Sequence, residues 1–160
     1  MAYTFPAGNV TWKPVDVIAL MCQPGFMSPE DWRPITGCAV VSAESGGNPL
    51  ALGKVIWSPG NVIHLSIDSL GMFQLESYWH TVTGPFPDVP PITVADCFDP
   101  FKAWTQTWKV INKNRVGWNY NWTDWSTYVD GTYDKHVAAS LAGMKAYRVA
   151  VGLPPGVFGA

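Results

Sequence analysis

The sequence predicts a mainly α-helical domain of the α+β class, with one small β-hairpin inserted after a central helix. Segments of helical period are bracketed by cap-and-proline starts and glycine or proline stops. Only around residues 54–67 does the period change to that of strands. Of the 160 residues 48% are hydrophobic and 14% charged, which suits one packed domain rather than a disordered chain.

Taken in order, residues 1–13, with Pro6 and Gly8, read as an extended arm. Pro14 opens a short helix through Cys22, and Pro24-Gly25 ends it. Ser28-Pro29-Glu30-Asp31 is a start signal that Pro34 interrupts, so the main helix runs from about Pro34 to Ser45. Its positions Ile35, Cys38, Ala39 and Ser42 share a face, and Gly46-Gly47 is the stop.

Lys54–Trp57 and Val62–Ile67 form the hairpin, around a Ser58-Pro59-Gly60-Asn61 turn. Gly71–Leu75 adds either a third short strand or a turn into a helix, and residues 84–95 are proline-rich and irregular. Asp99-Pro100 starts a helix whose stripe is Phe101, Trp104, Trp108 and Ile111. Residues 114–131 read as an aromatic loop with one helical turn. A last helix, about Thr132 to Val149, carries Val137, Leu141 and Met144 on one face. The main domain is thus 14–152, with a tail at 153–160.

Charge is unevenly placed. Residues 1–100 hold 3 basic and 9 acidic side chains, and residues 101–160 hold 7 basic and 3 acidic. Solvated helix faces explain this better than an anionic polymer partner, so neither nucleic acid nor membrane is expected as a partner. The longest apolar run is far too short to cross a bilayer, and the N-terminus lacks the pattern of a signal peptide. Cys22, Cys38 and Cys97 form no CxxC; a Cys38–Cys97 or Cys22–Cys38 bridge is open, with buried free thiols the better expectation. His64, His80 and His136 have no HExxH spacing, so no metal and no cofactor are expected.

Glu44 draws attention through its setting, Ala43-Glu44-Ser45-Gly46-Gly47-Asn48-Pro49. A carboxylate at the end of an apolar helix meets the negative end of the helix dipole, and both conditions disfavour its charged form. A carboxylic acid that keeps its proton suits general-acid cleavage of a glycosidic bond.

Three segments then carry a resemblance. Glu44-Ser45-Gly46-Gly47-Asn48-Pro49-Leu50-Ala51 is similar to an E-S-x-x-N-P-x-A motif, and Ser69-Leu70-Gly71-Met72-Phe73-Gln74-Leu75 to S-x-G-L-M-Q-I. Asp99-Pro100-Phe101-Lys102-Ala103-Trp104 resembles the F-D-P helix start that follows. Together they resemble the lysozyme-like fold of goose-type lysozymes and soluble lytic transglycosylases, over about residues 33–148. Trp122-Thr123-Asp124-Trp125-Ser126-Thr127-Tyr128-Val129-Asp130-Gly131-Thr132-Tyr133 resembles the W-x-x-W-x-x-Y-x-x-G-x-Y signature of the phage and actinobacterial branch. The A-Y-N-A-G motif of lytic transglycosylases is missing, with Asn119-Tyr120-Asn121 near its place.

The resemblance implies cleavage of the β-1,4 bond between N-acetylmuramic acid and N-acetylglucosamine in peptidoglycan, with Glu44 as the acid. The raised-pKa pattern is that of the best-known lysozyme and is borrowed from it. Glu76 or Asp68 is the candidate second carboxylate that holds water; a transglycosylase needs neither, because the sugar's own C6 hydroxyl attacks. Ser69 and Gln74 are implied sugar ligands or, alternatively, hairpin braces, and Gly71 allows either close substrate approach or a bend. Tyr120 and Trp125 stand as sugar-binding candidates, and with Trp118, Trp122 and Tyr128 they either stack on sugar rings or fill core.

The expected partners are peptidoglycan glycan strands and other virion proteins. The expected location is a phage virion or the host cytoplasm before holin-dependent release, with residues 1–13 as either a docking arm or a disordered terminus. Two alternatives share the cleft: a non-catalytic virion or wall-binding module, and a chitinase-like enzyme.

Overall fold

The computed structural model describes residues 2–57, 65–81, 89–113, 122–156 and 158. It is mainly helical, at 51% helix, with one antiparallel sheet of three strands, and so belongs to the α+β class. The predicted 58–61 turn, His64, Trp118 and Tyr120 lie outside the described residues.

Helix α1 (Pro14–Met21) begins at the proline, and Asp16 accepts a hydrogen bond from the Lys13 amide at 2.8 Å. That bond satisfies one of the donors that a helix start leaves open. Helix α2 (Arg33–Ser45) starts one residue before Pro34 and ends at Gly46 in the left-handed conformation, φ 63°. Ser28–Asp31 forms a turn ahead of it, with the Glu30 amide donating to Ser28 Oγ. Ile35, Cys38, Ala39, Val40 and Val41 are all buried, so α2 runs through the core.

Strands β1 (Leu52–Trp57), β2 (Leu65–Leu70) and β3 (Leu75–Glu76) lie in that order. β2 ends three residues later than its β-rich run suggests, so Asp68 and Ser69 belong to the strand. Residues 71–74 form the turn into β3, and helix α3 (Ser77–His80) follows, so the chain makes both a third strand and a helix. Met72, Phe73 and Leu75 are at most 1% exposed, and Phe73 stacks on Trp104 at 5.6 Å. Burying side chains of this size contributes about 1.5–3 kcal/mol each, which anchors the sheet to the helices.

Helix α4 (Val94–Cys97) has a reciprocal cap: Thr93 Oγ1 accepts from the Asp96 amide, and Asp96 accepts from the Thr93 amide. Helix α5 (Pro100–Lys113) is capped by Asp99 Oδ1, which accepts from the amides of Phe101 and Lys102. Its buried face is Ala103, Trp104, Gln106, Thr107, Val110 and Ile111. The expected stripe is therefore rotated: Trp104 and Ile111 are buried, Trp108 is half-buried and Phe101 is 41% exposed. Phe101 instead serves as an edge partner for Phe5 and Trp12.

Helix α6 (Ser126–Val129) is the single turn expected in the aromatic loop. A 3₁₀ turn (Thr132–His136) leads into α7 (Val137–Ala150). Gly143 lets α7 approach α1: a Cβ there would meet Pro14 at 2.8 Å.

The arm is packed down. The Tyr3 hydroxyl donates to Asp16 at 2.7 Å, Phe5 stacks on Trp12, and Trp12 is 4% exposed. Tyr3, Phe5 and Trp12 thus pack against the helices, while residues 7–11 between them are exposed. The arm's aromatic rings give it apolar surface that is better buried than wet.

The three cysteines are free and buried. Burial pushes the Cys22 thiol up to about 12 and those of Cys38 and Cys97 to about 11, so all three stay protonated at neutral pH. Lys102, Lys109, Lys113, Lys135 and Lys145 are exposed. Arg148 is buried, paired with Glu30 and donating to the Pro29 and Pro154 carbonyls. No described helix is long and apolar enough to cross a membrane.

Candidate active site

Three segments meet at the end of α2, and each is fixed by a local feature of sequence. The first is the helix end itself. Gly46 closes α2, its amide donating to the Ser42 carbonyl at 3.0 Å, and Gly47 follows at φ 78°. A Cβ on Gly47 would lie 2.3 Å from the Trp12 carbonyl oxygen, while the Trp12 amide donates to the Gly47 carbonyl. Only glycine fits both the backbone conformation and this approach to the arm.

The second segment is the turn between β2 and β3. Ser45 Oγ donates to the Met72 carbonyl at 2.7 Å, tying the helix end to that turn. Gly71 has φ 72°, and a Cβ there would come within 1.9 Å of the Cys97 carbonyl oxygen. Gly71 therefore makes the bend, and its close neighbour is protein backbone. Gln74 takes φ 50°, uncommon for a residue with a side chain. Its Nε2 donates to the Gly71 carbonyl at 2.8 Å and to the Ala51 carbonyl at 3.4 Å. Its Oε1 sits over Gly53, where a Cβ would come within 2.4 Å. The amide thus braces the turn, with both donors spent on backbone and only the carbonyl oxygen left to accept.

The third segment is α6. Trp125 is 5% exposed, its indole N–H donates to the Phe73 carbonyl at 2.7 Å, and its ring packs edge-on against Trp122 at 5.1 Å. Trp125 is thus packed in the core, with its polar atom spent on the sheet turn. Tyr128 is half-buried and stacks on Tyr133 at 5.2 Å. Two residues after Trp125, Thr127 reaches back across the chain to α2.

Glu44 is half-buried at the penultimate position of α2. Its Oε1 accepts from Thr127 Oγ1 at 2.6 Å and from the Thr127 amide at 3.4 Å. Its Oε2 has no protein hydrogen-bond partner among the described residues. A carboxyl with one oxygen held and the other open can pass a proton in one direction.

The sheet register separates the two candidate second carboxylates. Ser69 pairs with Gly53 on one side and Glu76 on the other, so all three share a sheet face, and Gln74 Oε1 lies over its Gly53 end. Asp68 pairs with Lys54 on the opposite face, where both are exposed. The register therefore groups Glu76 with Ser69 and Gln74 and leaves Asp68 out. Ser69 is 5% exposed, and Glu76 is half-buried.

Among the described residues no group of His, Cys, Asp and Glu could hold a metal ion. His80 is buried, and burial holds its imidazole down to about 4. No protein-family model, curated protein or solved structure matches the chain. Sequence reasoning missed Thr127. It lies inside the Trp125–Tyr128 stretch, but nothing in its spacing ties it to a glutamate 83 residues earlier.

Proposed function

We propose that the protein is a peptidoglycan-cleaving enzyme on a lysozyme-like fold, acting at the β-1,4 bond between N-acetylmuramic acid and N-acetylglucosamine as a lysozyme or lytic transglycosylase. The observation that carries this reading is Glu44: a half-buried carboxyl at a helix end, beside a pinned sheet turn, with one oxygen held and the other without a partner among the described residues. The resemblance of the three motifs suggests the substrate class, and a carboxyl held in one orientation supports reading Glu44 as the acid.

In the first step Glu44 gives its proton to the glycosidic oxygen, the C1–O bond breaks, and positive charge develops on the muramic acid ring. In a hydrolase, water then adds to C1 and its proton passes to a carboxylate. Glu76 is the better partner for that water, because it shares a sheet face with Ser69. In a transglycosylase the C6 hydroxyl adds to C1 instead, its proton returns to Glu44, and a 1,6-anhydro product forms. The Gln74 carbonyl oxygen is a group on that face left to accept from an acetamido sugar, while Ser69, at 5% exposed, fits its other expected role as a hairpin brace. The proposed setting is a phage particle or a lysing host, with glycan strands and other virion proteins as partners.

The test incubates wild type and Glu44→Gln with purified peptidoglycan. General acids contribute about 10²–10⁴-fold, so the variant should release fragments at least about 100-fold more slowly. Equal release by both proteins would sink the assignment. Mass spectrometry of the products then separates reducing ends from anhydro-muramic ends.

A further inference from the structure

The hydrogen bonds around Glu44 form a closed circuit of three elements. Ser45 Oγ grips the Met72 carbonyl, Trp125 Nε1 grips the Phe73 carbonyl, and Thr127 Oγ1 returns to Glu44 Oε1, at 2.7, 2.7 and 2.6 Å. The first two bonds lock the α2 end and α6 to adjacent residues of one buried turn. The third is therefore made between two elements whose separation is already fixed.

We infer that Thr127 is the positioning residue of the active site: it holds Glu44 Oε1 so that Oε2 is the oxygen that carries the proton to the glycosidic oxygen. This rests on the reading of Glu44 as the acid. A free glutamate at a helix end samples several rotamers, and each gives the proton a different direction. Donation from the hydroxyl and amide of one residue to one oxygen selects a single rotamer before substrate arrives. Thr127 touches no reacting atom in this scheme, and its effect passes through Glu44. Its own placement comes from Trp125, whose indole bond to Phe73 stops α6 from sliding along α2. That gives Trp125 a part in the site which does not require contact with sugar.

The experiment compares wild type, Glu44→Gln, Thr127→Val and Thr127→Ser on soluble, uncross-linked glycan strands. Thr127→Val keeps the branched shape and removes the donor; Thr127→Ser keeps the donor. Misplacing a catalytic group by about 1 Å costs up to about 100-fold, so kcat should fall roughly 10- to 100-fold in Thr127→Val with KM within about twofold. Thr127→Ser should recover most of that loss. A second readout does not depend on turnover. The chain has only three glutamates, Glu30, Glu44 and Glu76, so glutamate labelled with 13C at the carboxyl gives three signals. At fixed pH the signal assigned to Glu44 should move in Thr127→Val and stay near its wild-type place in Thr127→Ser. Wild-type kcat in Thr127→Val, or an unmoved Glu44 signal, overturns the inference while an inactive Glu44→Gln leaves the acid in place. Full activity in Glu44→Gln, or none in wild type, overturns the reading of Glu44 and this inference with it.

Discussion

Replacing Trp125 with phenylalanine distinguishes a core tryptophan from a sugar platform. The indole is 5% exposed and donates to the Phe73 carbonyl at 2.7 Å. Phenylalanine cannot donate, so a buried carbonyl loses this bond, at about 1–3 kcal/mol. The missing pyrrole portion leaves a small void against Trp122, roughly another 1–2 kcal/mol. A central value of about 3 kcal/mol, at 2–4 °C per kcal/mol for a chain of this size, lowers Tm by roughly 6–12 °C. Thermal melts followed by circular dichroism at pH 7 measure this directly. Glycan release should fall in parallel, measured well below the lowered Tm, because Thr127 rides on the same helical turn. A variant that melts within about 1 °C of wild type yet loses activity refutes the reasoning. That pattern belongs to an exposed stacking ring.

Three other substitutions separate close packing from conformational cost and give a pH signature. Gly71→Ala places a Cβ 1.9 Å from the Cys97 carbonyl oxygen, a backbone atom that cannot swing aside, and should cost more than about 3 kcal/mol in urea melts. Gly46→Ala, also at positive φ but with nothing within 4 Å, should cost only about 1–2 kcal/mol. His80 is held neutral, down to about 4 from an ordinary 6.5, so below 6.5 the unfolded chain takes up a proton that the folded one refuses. Its contribution is complete above pH 6.5 and is lost as pH falls towards 4, up to about 3 kcal/mol. Melts from pH 7 to 4 should fall more steeply in wild type than in His80→Gln, and parallel curves would remove the role assigned to burial.

What the sequence made legible depended on local chemistry. Glycine stops and proline starts act within one turn of chain, so the C-terminal end of α2 and the start of α5 follow from Gly46 and from Asp99-Pro100. The strand register did not follow, because residues 65–70 mix apolar and polar side chains and only pairing with Leu52–Trp57 fixes which of them belong to the strand. The α5 face did not follow either, because aromatic size alone does not fix which side chains are buried. Phe101 sits partly exposed against the arm, while Gln106 and Thr107 are buried. The arm itself, with Pro6 and Gly8, carries no periodic signal. Its packing comes from Tyr3, Phe5 and Trp12 meeting partners far away in sequence. In the site, Glu44 was legible from a helix end and a motif. Thr127 was not, since a hydrogen bond across 83 residues leaves no trace in spacing.

The residues of the two motifs differ in what their removal would leave behind, and that difference isolates Glu44. Without Ser45 the Met72 carbonyl loses its bond to the helix end; without Gln74 the Gly71 and Ala51 carbonyls lose theirs. Gln74 even holds φ 50°, where glycine would sit more easily, which fits a side chain kept for its brace rather than for its backbone. Gly47 and Gly71 are fixed by carbonyl oxygens closer than any Cβ allows. Each of these residues is explained by the fold. Without Glu44, by contrast, only the half-buried Thr127 hydroxyl and amide lose a partner among the described residues, and a hydroxyl at such a site can turn to water. The structural task this gives the carboxyl at position 44 is to accept from the first turn of α6, while a serine, two glycines and a glutamine fix the ground around it. Thr127 then belongs with the glutamate rather than with the braces: its hydroxyl bond secures no backbone, and what it orients is the carboxyl alone.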